Sequence, residues 1–377
     1  MKALVLSGGG ARGAYQTGVL LALGDLCSKV KQKTPFKIIS GVSAGAINAA
    51  FMAAEAEDFS LGVQKLSHMW SKIEADQVFK TDAVSLGKIG LQWMGELSFG
   101  GLSGSTPGKA LLDTSPLKDL IAGNLDLSKI AQNIERKTLH SLAITALDYK
   151  SNNTITFVQG SPHVDMWERS RRKSERATIR PDHIMASSAI PLLFPPIPVD
   201  ESYFGDGCLR NQAPLSPALH LGATRLFVIG VRKVSETADD QRALLSKGPP
   251  SVSRVINVLL NTVMLDSIEL DIERLRRINE FMNRVPEEHH ANLNFKKVEY
   301  TWIHPSEDIG AIAADMSARL PRVIRYLLKG LGPLEDASEI ISYLLFDRKF
   351  CERLIEIGYE DAMRQADAIV DFLAAPE

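Results

Sequence analysis

Gly41-Val42-Ser43-Ala44-Gly45 is a G-x-S-x-G stretch set between an apolar run and an alanine-rich one. On a sharp strand-to-helix turn, a serine in this pattern has its hydroxyl held out over the sheet edge. The flanking glycines remove side chains that would collide with strand or helix. Such a hydroxyl is placed to act as a nucleophile, and the positive end of the following helix favours negative charge beside it. A second cluster, Gly8-Gly9-Gly10-Ala11-Arg12-Gly13, follows the apolar residues Ala3 to Leu6. Two chemistries want these glycines. Gly8, Gly10 and Gly13 satisfy the G-x-G-x-x-G pattern of dinucleotide binding. Equally, the amides of Gly8, Gly9, Gly10 and Arg12 could approach a developing oxyanion closely because no side chains intervene.

The second strand discriminates between them. A dinucleotide fold places Asp or Glu at that strand's end to hold a ribose hydroxyl, whereas this chain has Ser40-Gly41-Val42-Ser43 there. The glycines therefore fit an oxyanion hole better. A serine nucleophile also needs a base. His304, at the end of an expected strand from Val298, could serve in the order Ser, acid, His. Against this, several strands precede the nucleophile in α/β-hydrolases, and Ser43 follows only the second strand here. Asp206, by itself, reads as an ordinary turn residue in an Asp-Gly pair.

The elements that must position these residues follow from hydrophobic spacing. Ala3 to Leu6 and Phe36 to Ser40 read as short buried strands, with helices expected over Ala14 to Leu26 and Ala46 to Ala56. Further strands are expected at Ser141 to Leu147, Thr154 to Val158, Arg225 to Val231 and Val298 to His304. Helical spacing recurs over Val252 to Arg284, Leu320 to Leu331, Glu335 to Phe346 and Phe350 to Leu373. The alternation predicts an α/β layer architecture with a mostly parallel sheet and a largely helical last third. We place the division at residues 1–233 for the first domain and 234–377 for a helical region packed on it.

Composition bounds the rest. With 43 basic and 45 acidic residues the formal net charge is -2, which gives no general reason to expect nucleic acid. Cys27, Cys208 and Cys351 are too few and too far apart for a disulfide framework or a metal pattern. No metal or other cofactor is expected, and no oligomer is specified. The N-terminal apolar run is too short for a signal peptide, and no apolar stretch of about 18 residues is present to span a membrane. The expectation is a cytoplasmic protein that meets membranes only peripherally.

Four blocks together resemble a known family: GGGARG at Gly8 to Gly13, GVSAG at Gly41 to Gly45, ASSAIPLLFPP at Ala186 to Pro196, and DGCLRNQAP at Asp206 to Pro214. In this order they resemble the patatin-like phospholipases, over roughly residues 3 to 222. The resemblance implies a three-layer α/β/α fold and a Ser/Asp dyad without histidine, with Ser43 as nucleophile and Asp206 as base. It also implies a phospholipid or other fatty acyl ester as substrate. The family's fourth block normally reads Asp-Gly-Gly or Asp-Gly-Ala, and Cys208 departs from it; cysteine is small, so the turn is expected to survive. A non-catalytic lipid-binding or regulatory protein on the same fold is the alternative of a different class.

Three features stand outside the dyad. Gly87 to Gly108 carries seven glycines among Ile89, Leu91, Trp93, Met94, Leu97 and Phe99, which suits either a lid over an acyl chain or a loop packed on the core. Arg169 to Arg176 has five basic residues and one acid, and is expected as a solvated helical face, with contact to anionic headgroups as the alternative. The Arg12 side chain suits a lipid phosphate or a structural salt bridge equally.

Overall fold

A computed structural model of the chain describes residues 1–81, 110–234, 249, 251–264, 267–293 and 295–376. The segment Gly87 to Gly108 lies outside the described residues, as does the linker-like stretch Ser235 to Pro250 apart from residue 249.

Strand β1 (Lys2–Leu6) is followed by a short 3-10 turn (Gly10–Arg12) and helix α1 (Gly13–Lys29). Strand β2 (Ile38–Val42) then runs into helix α2 (Ala44–Ala54), so the strand-turn-helix unit occurs twice, as its spacing predicts. The second strand starts two residues later than the apolar run at Phe36 suggests, and its helix starts at Ala44 rather than Ala46. Because β2 also runs on to Val42 rather than ending at Ser40, Ser43 falls on the junction itself. The remaining strands are β3 (Ser141–Asp148), β4 (Asn153–Gly160), β5 (Glu168–Arg169), β6 (Arg172–Arg176), β7 (Ile197–Val199), β8 (Ser202–Asp206), β9 (Arg225–Ile229) and β10 (Glu299–Ile303).

Together they form a sheet in the order β10-β9-β1-β2-β3-β4-β6-β5, with β8 pairing to β3 and β7. From β10 to β3 every neighbouring pair is parallel, and β4, β5, β7 and β8 bring in antiparallel pairings. Side chains alternate across the sheet, as the two-residue period of a strand requires. Leu4 and Leu6 enter the core beneath α1 and α2, whereas Ala3 and Val5 pack on the opposite face with Leu215, Ala218, Ile268 and Ile272. Because both faces are covered, the central strands read as continuous apolar runs. The architecture is α/β/α in three layers, with a largely helical C-terminal region.

That region is built into the first layers. Strand β10 extends the sheet beside β9, and the helix Arg348–Arg364 lies along α1. A Cβ on Gly18 would fall 2.0 Å from the Ile355 carbonyl oxygen, and one on Gly358 would fall 2.2 Å from that of Tyr15. Two helices with glycine at the crossing can bring their backbones this close. Among the described residues no helix is long and apolar enough to cross a membrane.

The basic run is not helical. Arg169 and Arg172 face one another across a β5–β6 hairpin, and β6 pairs along β4. Edge pairing to β4 overrides the weak local preference of a charged segment, and the buried Ser174 hydroxyl, which accepts from the Trp167 amide at 2.7 Å, closes the hairpin.

Candidate active site

The register of β3 explains how Ser43 and Asp206 meet. β2 runs parallel to β3 and ends with Val42 opposite Thr145. β8 runs the other way and ends with Asp206 opposite Ala146, the next position along. Because β4 fills the other side of β3, β2 and β8 share one flank and point their C-terminal ends at each other. The junction is tight: a Cβ on Gly207 would lie 2.3 Å from the Thr145 carbonyl oxygen and 2.8 Å from Val42 Cγ2.

Ser43 occupies this junction with φ 56° and ψ -130°, immediately before α2. A left-handed φ is costly for a residue with a side chain, so the surroundings must hold it. A Cβ on Gly41 would lie 2.2 Å from the Gly45 carbonyl oxygen, and one on Gly45 would lie 2.4 Å from those of Leu6 and Ser7. The two motif glycines thus let strand, turn and helix close around the serine. The Ser43 N–H donates to Ser187 Oγ at 2.9 Å, and Ser187 Oγ in turn donates to the Thr145 carbonyl at 2.6 Å. Ser188 Oγ donates to the Ser43 carbonyl at 3.0 Å. Spacing alone does not reveal these two serines as supports of Ser43; the only sequence signal is their place in the block Ala186 to Pro196.

Asp206 is fully buried. Its Oδ1 accepts the Cys208 N–H at 2.9 Å, and among the described residues its Oδ2 has no hydrogen-bond partner. Burial pushes the carboxyl up to about 6, opposed by the nearby Ser43 side chain and by Cys208. The Ser43 hydroxyl is therefore a neighbour of the carboxylate without forming a hydrogen bond of ordinary length and angle to it. Cys208 keeps the turn, and its thiol packs against Gly8, where a Cβ would fall 2.3 Å from Sγ and 2.8 Å from Ser43 Cβ. Burial, followed by the charge of Asp206, holds that thiol well above its ordinary range, so it stays protonated.

The glycine loop faces the same junction. Gly10 has φ 57°, and a Cβ there would meet the Tyr343 carbonyl oxygen at 2.4 Å. The Gly8 amide faces the Cys208 thiol, and the Arg12 amide is engaged within the turn, donating to the Gly9 carbonyl at 3.1 Å. Among the described residues, the Gly9 and Gly10 amides make no such bond. The Arg12 side chain is buried as a brace: Nε donates to Ser342 Oγ at 2.8 Å, Nη1 to the Val231 carbonyl at 3.2 Å, and Nη2 pairs with Glu339. These contacts take up the guanidinium, so the structural salt bridge holds rather than a lipid phosphate contact.

Beside Ser43 and Gly10 lies a narrow apolar cavity of about 30 Å³, lined by Ile47, Trp70, Leu117, Ile190 and Phe346 among others. His304 stands elsewhere, beyond the end of β10, tilted against Trp302 at 5.0 Å and 3.4 Å from the Pro305 carbonyl. Among the described residues no histidine is hydrogen-bonded to Ser43 or Asp206.

The family model for patatin-like phospholipase matches residues 4–219. Among solved structures, human GIVD cytosolic phospholipase A2, in complex with methyl gamma-linolenyl fluorophosphonate, is 13% identical with a TM-score of 0.42, covering 99% of this chain and 58% of that one. VipD from Legionella pneumophila is 12% identical with a TM-score of 0.36, covering 97% and 67%. The type III effector ExoU is 12% identical with a TM-score of 0.37, covering 98% and 53%. The chain thus spans between 53% and 67% of the length of these structures. No curated protein matches the chain.

Proposed function

The chain belongs to the patatin-like phospholipase family, and from that premise we propose that it is a lipid acyl hydrolase working through Ser43 and Asp206. The observation that carries the reading is the head-to-head meeting of β2 and β8, which sets a strained serine beside a buried carboxylate oxygen that has no other partner.

A carboxylate is far too weak a base to ionise a serine outright, so proton transfer is concerted with attack. As Ser43 Oγ bonds to the ester carbonyl carbon, its proton passes to Asp206 Oδ2. Burial helps here, because a carboxyl raised to about 6 holds the proton better than an exposed aspartate does. The charge forming on the carbonyl oxygen is met by the Gly9 and Gly10 amides and the positive end of α2; each such donor is worth roughly 3 kcal/mol in the transition state. Collapse breaks the ester C–O bond, and the alcohol leaves with the proton from Asp206. Water then gives a proton to Asp206 and attacks the acyl-serine, and the fatty acid departs as the proton returns to Ser43. The apolar lining beside Ser43 gives the acyl chain its way in, and these side chains part to admit it.

The test is fatty acid release from a panel of phospholipids and neutral esters, by wild type and Ser43→Ala, with an alkyl fluorophosphonate mapped by mass spectrometry. Release confined to the wild type and label on Ser43 support the reading. Wild-type release no greater than that of Ser43→Ala would overturn it and leave a lipid-binding protein.

A further inference from the structure

The basic run Arg169 to Arg176 takes no part in this chemistry, yet the hairpin it forms is not a simple solvated edge. Its tip, with the turn after Arg210 and the helix Ser267–Arg284, lines an open pocket of about 290 Å³. The walls are Arg171, Arg172, Arg210 and Arg274 with Ser170, Gln212 and Ala213, and no acidic side chain is among them. We propose that this pocket is a binding site for a phosphate-type oxyanion, presented either as free phosphate or as the headgroup of a phospholipid. The proposal does not depend on the hydrolase reading.

Four guanidiniums around one pocket repel each other unless something negative sits among them. Two of them are held in place by neutral acceptors. Arg210 Nη1 donates to the neutral Asn152 Oδ1 at 2.9 Å, and Arg274 Nη1 donates to the Gln212 carbonyl at 2.8 Å. The Asp271 carboxylate lies 4.0 Å from Arg274, also faces Arg172, and accepts the Leu215 amide at 3.0 Å, so one acid stands against four guanidiniums. Arg172 Nη1 is buried and, among the described residues, has no hydrogen-bond partner. A guanidinium cannot shed its proton, so a buried, unpaired N–H of this kind is a donor awaiting an acceptor.

Backbone strain points the same way. Arg171 at the hairpin tip has φ 58°, a conformation usually left to glycine or asparagine, and its carbonyl is tied to the Thr154 amide at 2.9 Å. An arginine held there at a conformational cost is consistent with a side chain needed for its charge. Planar guanidiniums match the oxygens of a phosphate in paired hydrogen bonds.

Calorimetric titration of the full chain with inorganic phosphate, at ionic strength held constant with chloride, tests the free-anion source. Sedimentation with phosphatidylcholine vesicles, with and without phosphatidic acid, tests the headgroup source. The expected result is saturable binding in one arm or both, weakened at least tenfold in Arg172→Gln and in Arg274→Gln. Arg274 is 57% exposed, so its variant keeps the fold even where Arg172→Gln does not. Phosphate binding alone assigns the free anion, and capture that needs phosphatidic acid assigns the headgroup. Absence of binding in both arms, or binding equal in wild type and Arg274→Gln, overturns the site.

Discussion

Ser187 Oγ accepts the backbone N–H of Ser43 at 2.9 Å while donating to the Thr145 carbonyl at 2.6 Å. One hydroxyl thereby ties the strained serine to the strand end that also pairs beside Asp206. Ser187→Ala leaves a buried donor and acceptor unpaired, and we expect it to cost about 1–3 kcal/mol in stability. Turnover should fall at least tenfold with little change in KM, as measured by denaturant unfolding and ester kinetics. Unchanged kcat would show that Ser43 needs no such support.

Asp206→Asn separates catalysis from stability. The variant keeps an acceptor for the Cys208 amide but cannot take a proton from Ser43, so ester turnover should be lost. Burial raises the folded-state pKa to about 6 from an ordinary value near 3.8. Between those values the folded protein retains a proton that the unfolded chain has lost, so stability falls as pH rises through the window. Above it the full cost is about 3 kcal/mol. Asp206→Asn should therefore be more stable than wild type at pH 8, with the advantage gone near pH 4, as read by thermal unfolding across pH.

The proposed role of this carboxyl predicts a pH profile for the wild type. Only the ionised form can accept the Ser43 proton, so kcat/KM should decline as pH falls through about 6. A profile flat from pH 5 to 8 would assign the base elsewhere.

Gly8 has no room for a side chain, since a Cβ would press on Cys208 Sγ at 2.3 Å and Ser43 Cβ at 2.8 Å. Gly8→Ala should displace Ser43 or Cys208 and reduce turnover by about a hundredfold or more, in line with losses seen when catalytic geometry shifts by an ångström. Fluorophosphonate labelling rates on the folded variant check this.

Leu120 lines the apolar cavity beside Ser43 and is partly buried. Leu120→Trp should narrow the acyl route, lowering kcat/KM for palmitoyl esters about tenfold while sparing butyryl esters. A loss equal for both chain lengths would place the acyl chain outside this cavity.

Much of the chemistry was legible along the chain. Gly41 to Gly45 declares a sharp strand-to-helix turn because steric limits there act over five neighbouring residues, and the glycines at Gly8 to Gly10 declare close approach for the same local reason. Buried central strands are legible too, because both faces are apolar. What local spacing does not carry is pairing across the chain. Ser43 meets Ser187 across 144 positions, and Arg12 reaches Glu339 across 327. β8, too short and polar at its start to stand out, brings Asp206 to Ser43 only through its register on β3. The charge of Arg169 to Arg176 was plain, but its hairpin form came from the edge of β4, since a weakly biased segment takes the structure its neighbours offer. Local sterics wrote the strained turn at Ser43 into the sequence; the long-range strand register brought Asp206 beside it.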